Sequence, residues 1–580
     1  MAGEQSASMQ AVQVREFVSD IIESYEQMPM ELSRYLLAVL GPAIVFFLLS
    51  VAGAIALPFP LLVRIPVFLL GVLLLGGAVL YPRLLVEQTR RSLENQLHLL
   101  ITHMTVLSTT NIDRVAVFRT LAREEEYGEL ATEMNRIVQL VDAWNQSLDD
   151  ACQRRAREVP SKPLADFLDR LAYSINAGQS IDDFLLGEQN AMIQKYITVY
   201  ESALGNLEVM KDLYLSMILS MTFAIINAIV LPILTGTDAT MTIGAVIVLF
   251  VFVQLGFYFV IRTMSPYDPL WFHQPEYRTK ANRQIDITLY GAVGLSLTMV
   301  LVLALGTFDL TAVGETVRPI MIELPIPLLI STPLTPLAVP GIVARRHEKR
   351  IGERDEEYPG FIRALGASET AKQSTTTAVL KTLKTKDFGV LSREISRLYT
   401  RLRMRLDPDR SWFFFTAETN SYLVQKFSEM YNVGRSMGGK PKLLGELISR
   451  NMNEIIKLRR QRKQSTVTLI GVLYGITASA SFAFFIGLEV VEILASFSTQ
   501  MNLDSLQFGT LIYAGVYDVP FIEYMLTLII LFNALLSSLM IRMVDGGHKA
   551  NAYLHFVMLV WVGSLMAVAT SSLAGALISV

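Results

Sequence analysis

The chain has 580 residues, 52% of them hydrophobic, with a mean hydropathy of +0.41 and a formal net charge of −3. That is more apolar surface than a soluble protein of this size needs, and it is gathered into nearly uncharged runs of roughly 18 or more residues, the length that crosses ~30 Å of hydrocarbon as a helix. The single cysteine, Cys152, excludes an intrachain disulfide and reads as a small buried thiol.

In chain order, a polar stretch mixing acids with Arg15 comes first and lacks the basic-then-apolar design of a cleavable signal peptide. Nine spans are predicted after it: Leu36–Leu57, Ile65–Leu80, Leu213–Leu234, Met241–Ile261, Ile287–Leu305, Met321–Ala338, Val467–Leu488, Phe521–Ile541 and Leu554–Ile578. The sixth carries Pro325, Pro327, Pro333, Pro336 and Pro340, which interrupt the hydrogen-bond ladder, so it is expected to pack inside the bundle. Lys and Arg are absent from Glu489–Pro520 and from Thr235–Thr240, and concentrate in Pro82–Asp212, Arg262–Arg283, Arg345–Lys463 and Arg542–Lys549. The basic segments share one side if the N-terminus is cytoplasmic, which puts Val580 outside.

The expected organisation is a cytoplasmic extension over 1–35, a transmembrane hairpin over 36–80 and a first cytoplasmic helical domain over 82–212. Four transmembrane helices over 213–344, with a short cytoplasmic loop at 262–284, then lead to a second, basic helical domain over 345–465. Three more transmembrane helices fill 466–580. The fold class is all-α and polytopic. Both long cytoplasmic segments show helical spacing, as in Leu164, Phe167, Leu168 and Leu171, and no strand alternation competes.

The two cytoplasmic segments also resemble each other. Tyr127-Gly128 precedes Leu130, Glu133, Met134, Arg136 and Ile137, as Phe388-Gly389 precedes Leu391, Glu394, Ile395, Arg397 and Leu398 at the same offsets. Farther on, Phe167 precedes Gly178 as Phe427 precedes Gly438. An aromatic-Gly pair before an amphipathic stretch marks a helix start, and the later Gly marks a left-handed helix end.

Their charges are opposite. Arg83–Asp212 holds about 14 basic and 20 acidic residues, roughly −6, and Arg345–Lys463 about 26 and 14, roughly +12. The cations fall into four groups: Arg345, Arg346, Lys349 and Arg350; Lys381, Lys384 and Lys386; Arg393, Arg397, Arg401, Arg403 and Arg405; and Arg459, Arg460, Arg462 and Lys463. The first and last groups also suit the positive-inside rule and contact with membrane lipids. All sixteen are candidates for docking an acidic cytoplasmic partner. No nucleic-acid motif accompanies them.

No catalytic, cofactor-binding or metal-ligating set can be assembled. Gly434–Lys440 fits seven positions of a phosphate-binding loop, but Pro441 stands where Ser or Thr should hold magnesium. His98, His103, His273, His347, His548 and His555 form no ligand pattern. Asn145-Gln146-Ser147 matches a glycosylation acceptor, but on the cytoplasmic side. Within the spans, Glu323 and Asn227 stand out, Glu323 near an outer interface. Gly471 and Gly475 form a small-residue face expected to pack within the chain rather than across a dimer.

The stretch from Phe167 to Leu185, with Gly178-Gln179-Ser180, resembles the "GxSxxxxL" motif of the type II secretion F-domain family, the polytopic platform proteins of type IV pili, type II secretion and archaeal filaments. In the second copy Gly438-Gly439-Lys440 departs from the motif. Nine spans, two F-domains and the segment His98–Tyr127 look most like the archaeal branch that builds the archaellum. The resemblance implies a non-enzymatic platform without cofactors. It also implies a hexameric secretion ATPase and pilin-like archaellin subunits as partners, and a homodimer. An adhesive-pilus platform and, from the proline-rich sixth span, a transporter remain the alternatives.

Overall fold

The computed structural model describes residues 32–56, 61–110, 112–272, 277–307, 324–500 and 518–578. The residues it describes are overwhelmingly helical, and they form two compact units, Met1–Gln194 and Lys195–Val580. Most of the polar N-terminal extension, and Glu323, lie outside the described residues.

In the first unit, Leu32–Tyr35 and a π-helical turn, Leu36–Leu40, lead into α1 (Gly41–Ala56) and α2 (Leu61–Asn95). A bundle follows: α3 (Leu97–Ser108), α4 (Arg114–Ala122), a 3-10 turn (Glu125–Tyr127), α5 (Glu129–Asp142), α6 (Leu148–Glu158) and α7 (Lys162–Asn176). Helix α8 (Ile181–Thr235) begins here and continues into the second unit. The bundle core is made by the apolar faces read from the spacing, with Phe118, Leu130, Met134, Phe167 and Leu168 all buried. Cys152 is buried as well, and burial pushes its thiol far above the ordinary range.

The second unit adds α9 (Ala239–Met264), α10 (Lys280–Thr307), α11 (Ile326–Ser331), a 3-10 segment (Thr332–Leu337) and α12 (Ala338–Lys372). Then come α13 (Thr376–Leu383), a 3-10 turn (Gly389–Leu391), α14 (Ser392–Arg403), α15 (Pro408–Thr419), α16 (Tyr422–Ser436) and α17 (Pro441–Gln500). Helices α18 (Val519–Asp545) and α19 (Asn551–Ile578) close it. From α3 to α8 and from α12 to α17, short helices follow one order: one helix, a 3-10 turn, then three more.

The repeat extends to atoms. Gly128 (φ +53°) and Gly389 (φ +52°) stand before the helices that the aromatic-Gly pairs announce. Gly178 (φ +72°) and Gly438 (φ +88°) follow the ends of α7 and α16, and the next amides, of Gln179 and Gly439, donate back to the Ser174 and Gly434 carbonyls at 3.0 and 2.8 Å. That six-to-one bond is a Schellman cap, and it needs a residue that accepts positive φ. The phosphate-loop look-alike is therefore a helix terminus.

Ser161 and Ser421 cap the starts of α7 and α16, accepting the Leu164 and Val424 amides at 3.4 and 3.1 Å. Each serine hydroxyl also donates to a carboxylate on the long helix entering its bundle, Glu94 or Asp355. Ser421→Ala is expected to destabilise the second bundle by about 1–2 kcal/mol, because the Val424 amide loses its acceptor and the buried Asp355 carboxylate loses a donor. An unchanged midpoint of chemical denaturation in detergent would contradict that.

At the neck of each bundle two long elements cross. Thr105 Oγ1 donates to the Leu185 carbonyl at 3.3 Å in the first. In the second, backbones meet directly: a Cβ on Gly366 would stand 2.2 Å from the Pro441 oxygen, and one on Gly445 2.7 Å from the Ile362 oxygen.

Eight helices among the described residues are long and apolar enough to cross a membrane, and they coincide with eight of the nine expected spans. The other expected span, Ile65–Leu80, lies within α2. The chain is thus an all-α polytopic membrane protein. One expectation is met only in part and one is corrected. Of the sixth span's prolines, which stand before, within and after α11 and a 3-10 segment, Pro327, Pro333 and Pro340 are buried, Pro325 is exposed, and the side chains between them are mostly half-buried. Gly471 and Gly475 face outward from α17, with nothing within 4 Å of where a Cβ would stand.

The polar centre of the membrane bundle is elsewhere. Gln254, fully buried, donates to Asn533 Oδ1 at 2.6 Å and lies 3.4 Å from the Tyr214 hydroxyl, and Asn533 donates to Thr477 at 3.0 Å. Four helices are joined by this chain of amides and hydroxyls, the usual use of such groups in hydrocarbon. Asn227, by contrast, donates to the Phe223 carbonyl of its own helix.

Candidate functional site

Helix α12 continues the sixth span as an unbroken rod past Arg345. Arg345, Arg346, Lys349 and Arg350 are all exposed on one face of it, while Ala344, Glu348 and Ile351 are buried on the other. Lys372, which ends the helix, lies ~40 Å along the axis from Arg345. Lys381, Lys384 and Lys386, all exposed, follow from that far end. Lys384 stands 4.6 Å over the Tyr399 ring. Arg393, Arg403 and Arg405 are exposed too, so the candidates divide into a membrane-proximal and a distal set.

Four of the sixteen are engaged by groups of the protein itself, and three of them, Arg401, Arg459 and Arg462, leave the docking surface, whereas the Arg397 side chain is still 38% exposed. Arg397 and Arg401 both turn to Glu418, at 3.5 and 2.5 Å, and Arg401 also lies 5.3 Å from the Phe414 ring. Arg459 and Arg462 are withdrawn more completely. Helical spacing and membrane proximity showed their charge but not their partners. Arg460 is exposed beside Glu356 at 3.1 Å, and Lys463 is exposed.

Arg459 on α17 holds two carboxylates from two other segments. Its Nε and Nη2 donate to Asp268 at 2.8 and 2.6 Å, its Nη1 to Asp355 at 2.7 Å, and Nη2 also to the Pro269 carbonyl at 2.8 Å. The three side chains are only 13%, 5% and 3% exposed. Burial alone lowers the Arg459 pKa, but Asp268 and then Asp355 more than reverse this and hold it well above the ordinary value. Burial raises Asp355 to about 6, opposed by Arg459 and the Ser421 hydroxyl. One turn on, Arg462 donates to the carbonyls of Val544 (2.6 Å), Met543 (3.1 Å) and Asp268 (3.2 Å). It thereby caps the end of α18. Gly546 (φ +72°) is required beside it, since a Cβ there would stand 2.7 Å from the guanidinium.

The segment after α9 completes the junction. Around Trp271 it pairs with the turn between α15 and α16: Phe272 N–H donates to the Asn420 carbonyl (3.0 Å) and Tyr422 N–H to the Leu270 carbonyl (3.2 Å). Trp271 Nε1 donates to Glu348 at 3.2 Å, and Glu348 also accepts the His548 amide and, at 3.3 Å, Asn551 Nδ2. None of these donors is a cation, and burial pushes the Glu348 carboxyl up to about 7. Helices α12, α16 and α17 are thus fastened, through buried polar groups, to the segment after α9 and to the turn between α18 and α19. Sequence reasoning missed Asp268, Trp271 and Glu348. The available signal was an acid in a mainly basic loop, and Asp268 shares that loop with Glu276, so the sequence does not single it out.

Among the described residues no group of three His, Cys, Asp or Glu is placed to hold a metal ion. The arrangement offers charge recognition and mechanical fastening.

Comparison with known proteins matches residues 100–227 to the family described as type II secretion system (T2SS), protein F. A flagella accessory protein J of Methanococcus voltae is 34% identical over 516 residues, 89% of this chain and 91% of the relative. A flagella accessory protein J of Methanocaldococcus jannaschii is 32% identical over 537 residues, 92% of this chain and 94% of the relative. No solved structure matches.

Proposed function

Because the chain belongs to the family of flagella accessory protein J, a T2SS F-domain membrane platform for flagellar or type IV pilus-like assembly, we propose that it is the archaellum platform itself. In this reading the protein is not an enzyme. It takes motion from a cytoplasmic hexameric ATPase and uses it to insert pilin-like subunits at the base of the filament. Its N-terminus and both helical bundles are cytoplasmic, and Val580 is outside, as the Lys and Arg distribution favours.

The observation that carries the coupling is the exposed basic surface of the second bundle, on a domain fastened to the membrane helices through Arg459 and Glu348. A domain so fastened passes a push on its surface to the bundle. Replacing Arg345, Arg346, Lys349 and Arg350 together by Gln is expected to slow ATPase association about tenfold at low salt and to flatten its salt dependence, since exposed complementary charge acts chiefly on encounter. Surface plasmon resonance on protein in nanodiscs measures this. Unchanged rates at every salt concentration would remove the docking role from this face.

Deleting the gene in its host tests the whole reading. Loss of swimming and of archaella with adhesive pili retained is expected. Loss of adhesive pili with normal swimming would move the protein to the pilus branch, and normal filaments of both kinds would refute it.

A further inference from the structure

At the expected membrane boundary, α8, α17 and the ends of α9 and α18 line a cleft of about 470 Å³, within the roughly 300–1,000 Å³ of pockets that hold small molecules. Its two main walls follow one helical spacing. Glu201, Gly205 and Glu208 stand on α8, and Gln461, Ser465 and Thr468 on α17, each set at i, i+4 and i+7. Leu204, Leu207 and Leu469 form an apolar floor, and all three are buried. Leu469 lies just inside the span expected to begin at Val467, and Gln461 lies ~9 Å before that point along the axis. The cleft therefore bridges the hydrocarbon and the headgroup layer. An occupant with a chain for the floor and a polar head for the walls is a lipid.

The walls select the headgroup. Gln461 Nε2 donates to Glu201 at 3.2 Å, which uses one of the several acceptor sites of that carboxylate, while Gln461 Oε1 is buried and accepts no hydrogen bond. Lys211 stands 3.6 Å from Glu208 and 3.5 Å from Asp212, longer than a good hydrogen bond, so Glu208 also keeps acceptor capacity. A phosphate only accepts, and it meets two carboxylates. An ammonium only donates, and it offers nothing to the Gln464 amide or the Ser465 hydroxyl, which line the same cleft. A hydroxyl donates and accepts at one atom, and several of them on one headgroup match a wall of carboxylates, amides and hydroxyls.

From this geometry we infer that the cleft between α8 and α17 is a binding site for a membrane lipid with an uncharged sugar headgroup. The sugar hydroxyls donate to Gln461 Oε1, Glu201 and Glu208, and accept from the Gln464 amide and the Ser465 hydroxyl. The first methylenes of the lipid chains lie on the leucine floor. The bound lipid ties α8 to α17 where both leave the membrane.

The test titrates full-length protein in detergent with glucosyl-diacylglycerol, phosphatidylethanolamine and phosphatidylcholine carrying identical chains, and counts bound lipid by native mass spectrometry. The glucosyl lipid is expected to bind about tenfold more tightly than phosphatidylcholine, which has no hydroxyl or N–H to donate, as two or three net hydrogen bonds allow. Gln461→Leu, which removes the buried acceptor, should reduce that preference to about threefold or less. Gly205→Leu should abolish it by filling the cleft. A Cβ there meets nothing within 4 Å, and leucine favours the helix, so the thermal midpoint of this variant should not fall. Equal binding of the glucosyl and choline lipids, or a preference that survives either variant, would overturn the site. Tighter binding of phosphatidylethanolamine than of the glucosyl lipid would overturn it too, by making this an amine site. The assay involves neither the ATPase nor filaments, so its outcome is independent of the gene deletion.

Discussion

Arg459→Met should be among the most damaging single substitutions in the cytoplasmic half of the second unit, costing about 3–5 kcal/mol. The substitution removes the guanidinium that, among the described residues, hydrogen-bonds both Asp268 and Asp355, and takes that countercharge from two nearly buried carboxylates. The cost lies in that exposed mismatch more than in the value of the pair itself, which leads to a second expectation. Combining Arg459→Met with Asp268→Asn and Asp355→Asn should recover most of the lost stability, because a neutral set no longer strands a charge. Thermal unfolding in detergent and limited trypsin digestion of the second bundle measure both. If Arg459→Met melts with the parent, the junction does not depend on this residue. If the triple variant is as unstable as the single one, the loss comes from packing and not from charge.

Glu348→Gln should stabilise the protein at alkaline pH and leave it nearly unchanged under acid conditions. Burial raises the Glu348 carboxyl to about 7, above the ordinary range near 4.3. The folded state therefore holds this proton more tightly than the unfolded state. The associated stability is fully present below about pH 4.3 and is lost as pH rises through 7. The shift corresponds to about 3–4 kcal/mol. Facing groups are Trp271, the His548 amide, Asn551, Asp545 and, more distantly, Arg345, so Asp545 adds to the upward push. Asn551 Oδ1 is buried without a hydrogen bond and can accept from protonated Glu348 or from the glutamine amide. Melting curves at pH 5 and pH 8 decide the matter. Curves separated equally at both values would mean that Glu348 does not titrate across this range.

The features legible in the sequence are local ones. Apolar runs of membrane length, the helical spacing of Leu164, Phe167 and Leu168, and the glycines that follow α7 and α16 each depend on residues within a turn or two of one another. Arg459 and Asp268 meet across 191 positions, and His548 and Glu348 across 200, and no periodicity carries such information. The same limit explains the misplaced arginines. Arg401 and Arg405 look alike in a list of cations, yet one is paired with Glu418 and the other is exposed. Gly471 and Gly475 show it from the other direction, since a small-residue face does not say what it meets. Even Gln254, buried and bonded across helices, is one amide in an apolar run, no more conspicuous than Asn227.

The repeated order of elements, paired with opposite charge, bears on how such a protein can change. In an assembly of two identical single-bundle chains, any surface substitution appears twice, so both bundles stay equally suited to one neighbour. Here the bundle of α3–α7 and the bundle of α13–α16 share caps, glycine turns and buried glutamates, yet vary in surface independently. The segment around the first, Arg83–Asp212, carries roughly −6, and the one around the second, Arg345–Lys463, roughly +12. A single gene thus encodes a lopsided pair, in which one half can be remodelled for a new neighbour while the other keeps its own.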